Sequence, residues 1–91
     1  MAFITVRVPS LLVPVTGTRS FIVEASTVGG AIEALLDAQP GLKVHLFDEQ
    51  RELRPHVRIF WNDTDTAWLG DLDNPVAKGD TLTIMQAVSG G

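Results

Sequence analysis

"RSFIVEASTVGGAIEALLDAQPG", residues Arg19 to Gly41, changes its hydrophobic period halfway, and that change decides the fold class. Up to Ala25 the inward positions are Phe21, Val23 and Ala25, the two-residue repeat of a half-buried strand. From Val28 onward the apolar residues are Val28, Ala31, Ile32, Leu35 and Leu36, spaced by three and four as on one face of a helix. Ser26 or Thr27 supplies the N-cap, and Pro40 with Gly41 ends the helix. A helical glycine costs about 1 kcal/mol relative to alanine. Gly29 and Gly30 therefore predict close packing of the first helical turn on a sheet.

Working outward, "FITVRV" (Phe3 to Val8) alternates, with Ile4, Val6 and Val8 on one face and Phe3, Thr5 and Arg7 on the other. Two prolines and Gly17 in "PSLLVPVTGT" forbid a continuing ladder, so the first two strands form a hairpin with a long loop. After the helix, "LKVHLFDEQREL" reads as a short helical turn carrying Leu42, Leu46 and Phe47, then a short extended piece around Leu53. In "HVRIFWNDTD" Val57, Ile59 and Trp61 alternate with Arg58 and Phe60, and Asn62 and Asp63 suit a turn. A connection rich in Gly, Pro, Asp and Asn follows and closes on a tight turn at Lys78, Gly79 and Asp80. In "TLTIMQAV" Leu82 and Ile84 point inward, Thr83 and Met85 outward. The expected architecture is α+β, a small mixed sheet covered by one main helix. With the last strand beside the first, as in the β-grasp topology, residues beyond it leave from a central strand. The domain is expected over residues 1–88, with a flexible Ser-Gly-Gly tail at 89–91.

Composition removes several classes of function. The 91 residues are 45% apolar and 20% charged, which fits one packed domain. Apolar runs such as "LLVPV" fall far short of the roughly 20 residues of a membrane helix. The amino-terminal stretch lacks the layout of a signal peptide, so a cytoplasmic protein without a membrane partner is expected. The net charge of −4, with no run of five like charges, argues against nucleic acid and for docking on a basic protein surface. Without cysteine there is no disulfide, thiolate nucleophile or Cys-ligated metal.

No catalytic constellation emerges. His45 and His56 have no paired carboxylate at a ligand spacing, and Asp63, Asp65, Asp71 and Asp73 lack the pattern of a calcium loop. Neither a nucleophile elbow nor a phosphate-binding glycine loop occurs. No bound cofactor, metal site or enzymatic activity is expected. What remains is "VSGG", Val88 to Gly91, just beyond an apolar strand. Five residues after Gln86 at about 3.3 Å each extend roughly 15 Å, enough to enter a narrow partner cleft while the folded body stays outside.

Almost the whole chain resembles the ubiquitin-like sulfur-carrier family that includes the thiamine-pathway carrier ThiS and the molybdopterin synthase small subunit MoaD. The likeness is carried by "FITVRVP", "TVGGAIEALL", "VRIFWND" and "VAKGDTLTIMQAVSGG" with an unextended Gly91. It implies a β-grasp fold and a carboxylate on Gly91 that an ATP-consuming, E1-like adenylyltransferase/sulfurtransferase activates and converts to a thiocarboxylate. Gly90, Ser89 and Val88 would thread into the partner's active site. The opening "VRVPSLLVPVTGTRSF" and the "AVSGG" ending are most similar to carriers serving cysteine synthesis, whose acceptor is a pyridoxal-phosphate-dependent synthase. Another sulfur-accepting synthase, a role as molybdopterin synthase small subunit, or conjugation to lysines as a protein modifier are the alternatives. Phe60 and Met85, outward by strand parity, with Arg58 beside them, are the expected docking patch.

Overall fold

A computed structural model describes residues 1–86. Strands β1 (Ala2–Arg7) and β2 (Ser20–Ala25) pair antiparallel, with Ala2 opposite Ala25 and Arg7 opposite Ser20. The loop between them is not irregular throughout: Pro9 leads a 3-10 turn, Ser10–Leu12, and one helical turn, α1 (Val13–Thr16), follows. Helix α2 runs Val28–Ala38, and a second short helical segment comprises Pro40–Leu42 and α3 (Lys43–Leu46). Next come β3 (Val57–Trp61), the two-residue β4 (Thr64–Asp65) and β5 (Thr81–Gln86). The five strands are ordered β2-β1-β5-β3-β4. The last strand thus lies in the middle, parallel to β1 and antiparallel to β3.

The strand parities expected from the sequence hold. Ile4, Val6, Val23, Ala25, Val57, Ile59, Leu82 and Ile84 are buried on the face that α2 covers with Val28, Ala31 and Leu35. Leu12, Leu42 and Leu46, from the short helical segments, complete the core. The extended piece around Leu53 is a single bridge to Phe47.

Helix α2 begins on Thr27, whose Oγ1 accepts from the Gly30 N–H at 3.0 Å. The Ser26 carbonyl instead takes the Val76 N–H at 3.1 Å. The expectation that both glycines press on the sheet requires correction. A Cβ on Gly30 would stand 3.8 Å from that of Ala25 in β2, but one on Gly29 would meet Leu72 Cβ at 3.1 Å and its carbonyl oxygen at 3.3 Å. The connection 68–80 comes this close because it satisfies the helix's free amides. The Val28 N–H donates to Asn74 and the Gly29 N–H to Leu72, at 3.0 and 2.9 Å.

A polar knot fixes the start of β5. Asp80 accepts from the Trp61 indole N–H at 3.0 Å, from Asn62 Nδ2 at 3.2 Å and from the Ala77 backbone at 2.8 Å. Asn62, in the left-handed region at φ 52, also accepts the Thr81 N–H through its side chain at 3.0 Å. The tight turn before it closes with Asp80 N–H to Ala77 C=O at 3.0 Å, over Gly79 at φ 89. These bonds tie the β3–β4 turn to the entry of the middle strand.

Candidate functional site

Among the described residues, no helix covers the face of the sheet opposite α2. Arg7, Thr83 and Phe60 form one cross-strand row over β1, β5 and β3, and Met85 and Arg58 form the next. Strand β1 stops at Arg7, and Pro9, which has no N–H to offer a neighbour, turns the chain away. Strand β5 continues to Gln86 with only β3 beside it. The result is a notch of about 700 Å³ at the exit of β5, whose lining includes Pro9, Pro55, His56 and Gln86.

Of the residues expected to dock a partner, Phe60, Met85 and Arg58 all line this notch. Met85 is 51% exposed, Phe60 is half-buried, and the Arg58 side chain is 57% exposed. Arg58 is tethered: its Nη1 donates to Asp65 Oδ2 at 3.1 Å. Asp65 is 8% exposed, and its other oxygen accepts the Ala67 N–H at 2.9 Å. The Thr66 hydroxyl reaches back to the Ile59 carbonyl at 2.9 Å, holding this turn against β3. Both carboxylate oxygens are engaged, so the guanidinium is oriented before any partner arrives.

Val88, Ser89, Gly90 and Gly91, the residues expected to form the tail, lie outside the described residues, as does the proposed boundary between body and tail. Sequence parity puts Arg7 outward and the expected topology sets the last strand beside the first, but the register that brings Arg7 level with Thr83 is not written in either strand. His56 lies half-buried at the notch, whereas His45 is exposed on α3. The loop aspartates serve local turns: Asp71 accepts the Asp73 N–H at 3.0 Å, and Asp65 caps the turn after β4. Among the described residues no three acidic or histidine side chains gather as a metal site, and no helix is long and apolar enough to cross a membrane.

A mixed five-stranded sheet with one main helix across one face and the last strand at its centre defines the ubiquitin-like β-grasp class. Residues 6–91 match the ThiS family, and the chain belongs to it. Sulfur carrier protein CysO of Mycobacterium tuberculosis is 35% identical over 91 residues, covering 97% of this chain and 98% of the relative. Small archaeal modifier protein 1 of Haloferax volcanii is 36% identical over 83 residues, 88% of this chain and 91% of that protein. The SAMP1 crystal structure from Haloferax volcanii superposes with a TM-score of 0.82 at 30% identity, over 99% of this chain and 100% of the other. A chain of the Amycolatopsis orientalis BexX/CysO complex gives 0.79 at 35% identity, over 97% and 99%. These relatives are named as small carriers and modifiers, not as enzymes.

Proposed function

We propose that this protein is a sulfur carrier of the cytoplasm, loaded at the carboxylate of Gly91, and that cysteine synthesis is its first destination. The observation that carries the reading is the near-complete match to CysO, beside a ThiS family match that runs through Gly91. A middle-strand position for β5 adds to it, because Gln86, the last described residue, ends a strand inside the sheet and not one at its edge.

The chemistry follows from what a carboxylate lacks. It is a poor acyl donor until a good leaving group is attached. An E1-like adenylyltransferase brings ATP; a Gly91 oxygen attacks the α-phosphorus, and pyrophosphate departs. Sulfide then attacks the acyl carbon of the adenylate, the bond to AMP breaks, and a thiocarboxylate remains. The carrier itself binds no cofactor, and ATP is consumed on the activating enzyme. Side chains at Gly90 or Gly91 would widen a segment that must pass through a narrow cleft. Phe60, Met85 and Arg58 dock the body while Val88, Ser89 and Gly90 thread. The acceptor is a pyridoxal-phosphate-dependent cysteine synthase, or another synthase that takes sulfur from the same thiocarboxylate.

A second reading has its own observation, the 36% identity to small archaeal modifier protein 1. In it Gly91 is joined to target lysines by an isopeptide bond. Intact mass separates the two. Incubation with ATP, sulfide and the activating enzyme is expected to add about 16 Da, sulfur for oxygen, as activated-acyl chemistry requires. A ladder of larger conjugates without that increment favours the modifier. No mass change in either sense refutes both.

A further inference from the structure

Among the described residues, the charged side chains that line the notch at the exit of β5 are opposite in sign to the net charge of the molecule. The chain has a net charge of −4, yet the described residues that line the notch include Arg7 and Arg58 and no carboxylate. Asp65, the acid that touches Arg58, is buried and has both oxygens engaged, so it is not available to a partner. The acidic residues concentrate elsewhere. The groove on the helix side is bordered by Glu33, Asp37, Glu52 and Asp73 against Lys43 and Arg51. Among the described residues the lining of the notch is therefore more basic than that of the helix-side groove.

The two arginines bracket an apolar centre. Arg7 shares a row with Thr83 and Phe60, so at about 4.8 Å per strand its Cα lies roughly 10 Å from that of Phe60. Arg58 stands one row further along, directly beside Met85. A protein that approaches the end of β5 at Gln86 comes against this rim. Its own surface then meets an exposed thioether and a half-exposed ring between two guanidinium groups.

We infer that the seat for this face on the activating enzyme is acidic, an apolar side chain flanked by carboxylates, and that Arg7 is a specificity-determining anchor within it alongside the tethered Arg58. The inference rests on the carrier reading for the identity of the partner and goes beyond it in assigning the partner's chemistry. It reverses the expectation drawn from net charge, that an acidic domain docks on a basic surface. Charge on the rim acts chiefly on encounter rate and orientation, and the overall negative charge makes that orientation selective.

The test measures binding of the E1-like adenylating enzyme of the same source to chains lacking Gly90 and Gly91, so that docking is read apart from loading. Arg7→Glu is the sharper variant, since Arg58→Glu would set a second carboxylate against Asp65 at a contact now 3.1 Å long. Expected is at least a tenfold loss of affinity for Arg7→Glu at 50 mM salt, narrowing at 500 mM as screening shortens the field. Arg7→Lys restores most of the loss, and Glu33→Lys leaves binding equal or tighter. Equal binding by Arg7→Glu and the parent overturns the inference, as does a loss that salt does not narrow. Appearance of a parent dimer in sedimentation that Arg7→Glu abolishes would assign the notch to a second copy and overturn it as well. Loading of the full-length parent by ATP and sulfide is scored separately: if it is absent while the Arg7 effect persists, the carrier reading fails and the docking assignment stands.

Discussion

Asp80 is one residue on which several parts of the chain converge. The Ala77 backbone N–H, the Trp61 indole and Asn62 all donate to it, and together they outweigh partial burial and lower its pKa below the ordinary 3.8. A carboxylate with a depressed folded pKa contributes stability that is present above its unfolded value and is lost as pH falls through the folded one. Asp80→Asn keeps the shape but removes the charge and one acceptor. Its urea midpoint is expected to fall below the parent's at pH 7, and the two curves to converge as pH drops below 3.8. A constant gap between pH 7 and pH 3 in denaturation followed by tryptophan fluorescence would contradict that origin. Residues of this kind were only partly legible. The turn at Lys78 to Asp80 was readable from Gly79, but the reach of Asp80 to Trp61 depends on β3 and β5 being neighbours, and no local pattern encodes it. Gly29 makes the same point, since its constraint comes from Leu72 in a distant loop.

At the scale of elements, α2 and β5 were the most readable because each carries its own period. Thr27, Val28, Ala31 and Leu35 fall where capping and a helical stripe put them, and Leu82 and Ile84 alternate with Thr83 and Met85 as a half-buried strand must. The less readable elements are the short ones. Segments of three or four residues such as Ser10–Leu12 and Val13–Thr16 cannot display a full helical repeat, and their order comes from burying Leu12 against the sheet. Helix α2 is the one long element on the inner face, so its contact should dominate stability. Leu35 is wholly buried at 0% exposure, and Leu35→Ala is expected to cost about 2–5 kcal/mol. A 91-residue domain has on the order of 5–14 kcal/mol in total. Leu36, one position on and only partly buried, should cost clearly less as Leu36→Ala. Equal losses in urea denaturation would mean that α2 sits rotated from the orientation described.

For the whole molecule, topology does what no single element can: it sets a strand from the far end of the chain beside the first strand and brings Arg7 to Met85 and Arg58. The sequence carried the outward parity of each of these residues, but the parallel register that assembles the notch is a property of the closed sheet. The proposed loading reaction makes a prediction at this scale. Every buried apolar residue described lies at or before Ile84, so an addition after Gly91 alters none of them. Adding one alanine after Gly91 keeps the notch, the arginines and the charge balance, but moves the carboxylate about 3.3 Å further along and places a Cβ beside the reacting carbon. An adenylation site that accepts a side chain-free acyl group at a fixed reach should then fail, because a displacement of this size is large on the scale of a near-attack geometry. The extended chain is expected to melt at the same temperature as the parent and to bind the activating enzyme within a factor of three, while its rate of gaining about 16 Da falls at least a hundredfold, as misplacement of a reacting group predicts. Loading at the parent's rate would mean that the carboxylate's position is not what the β5 exit is built to deliver.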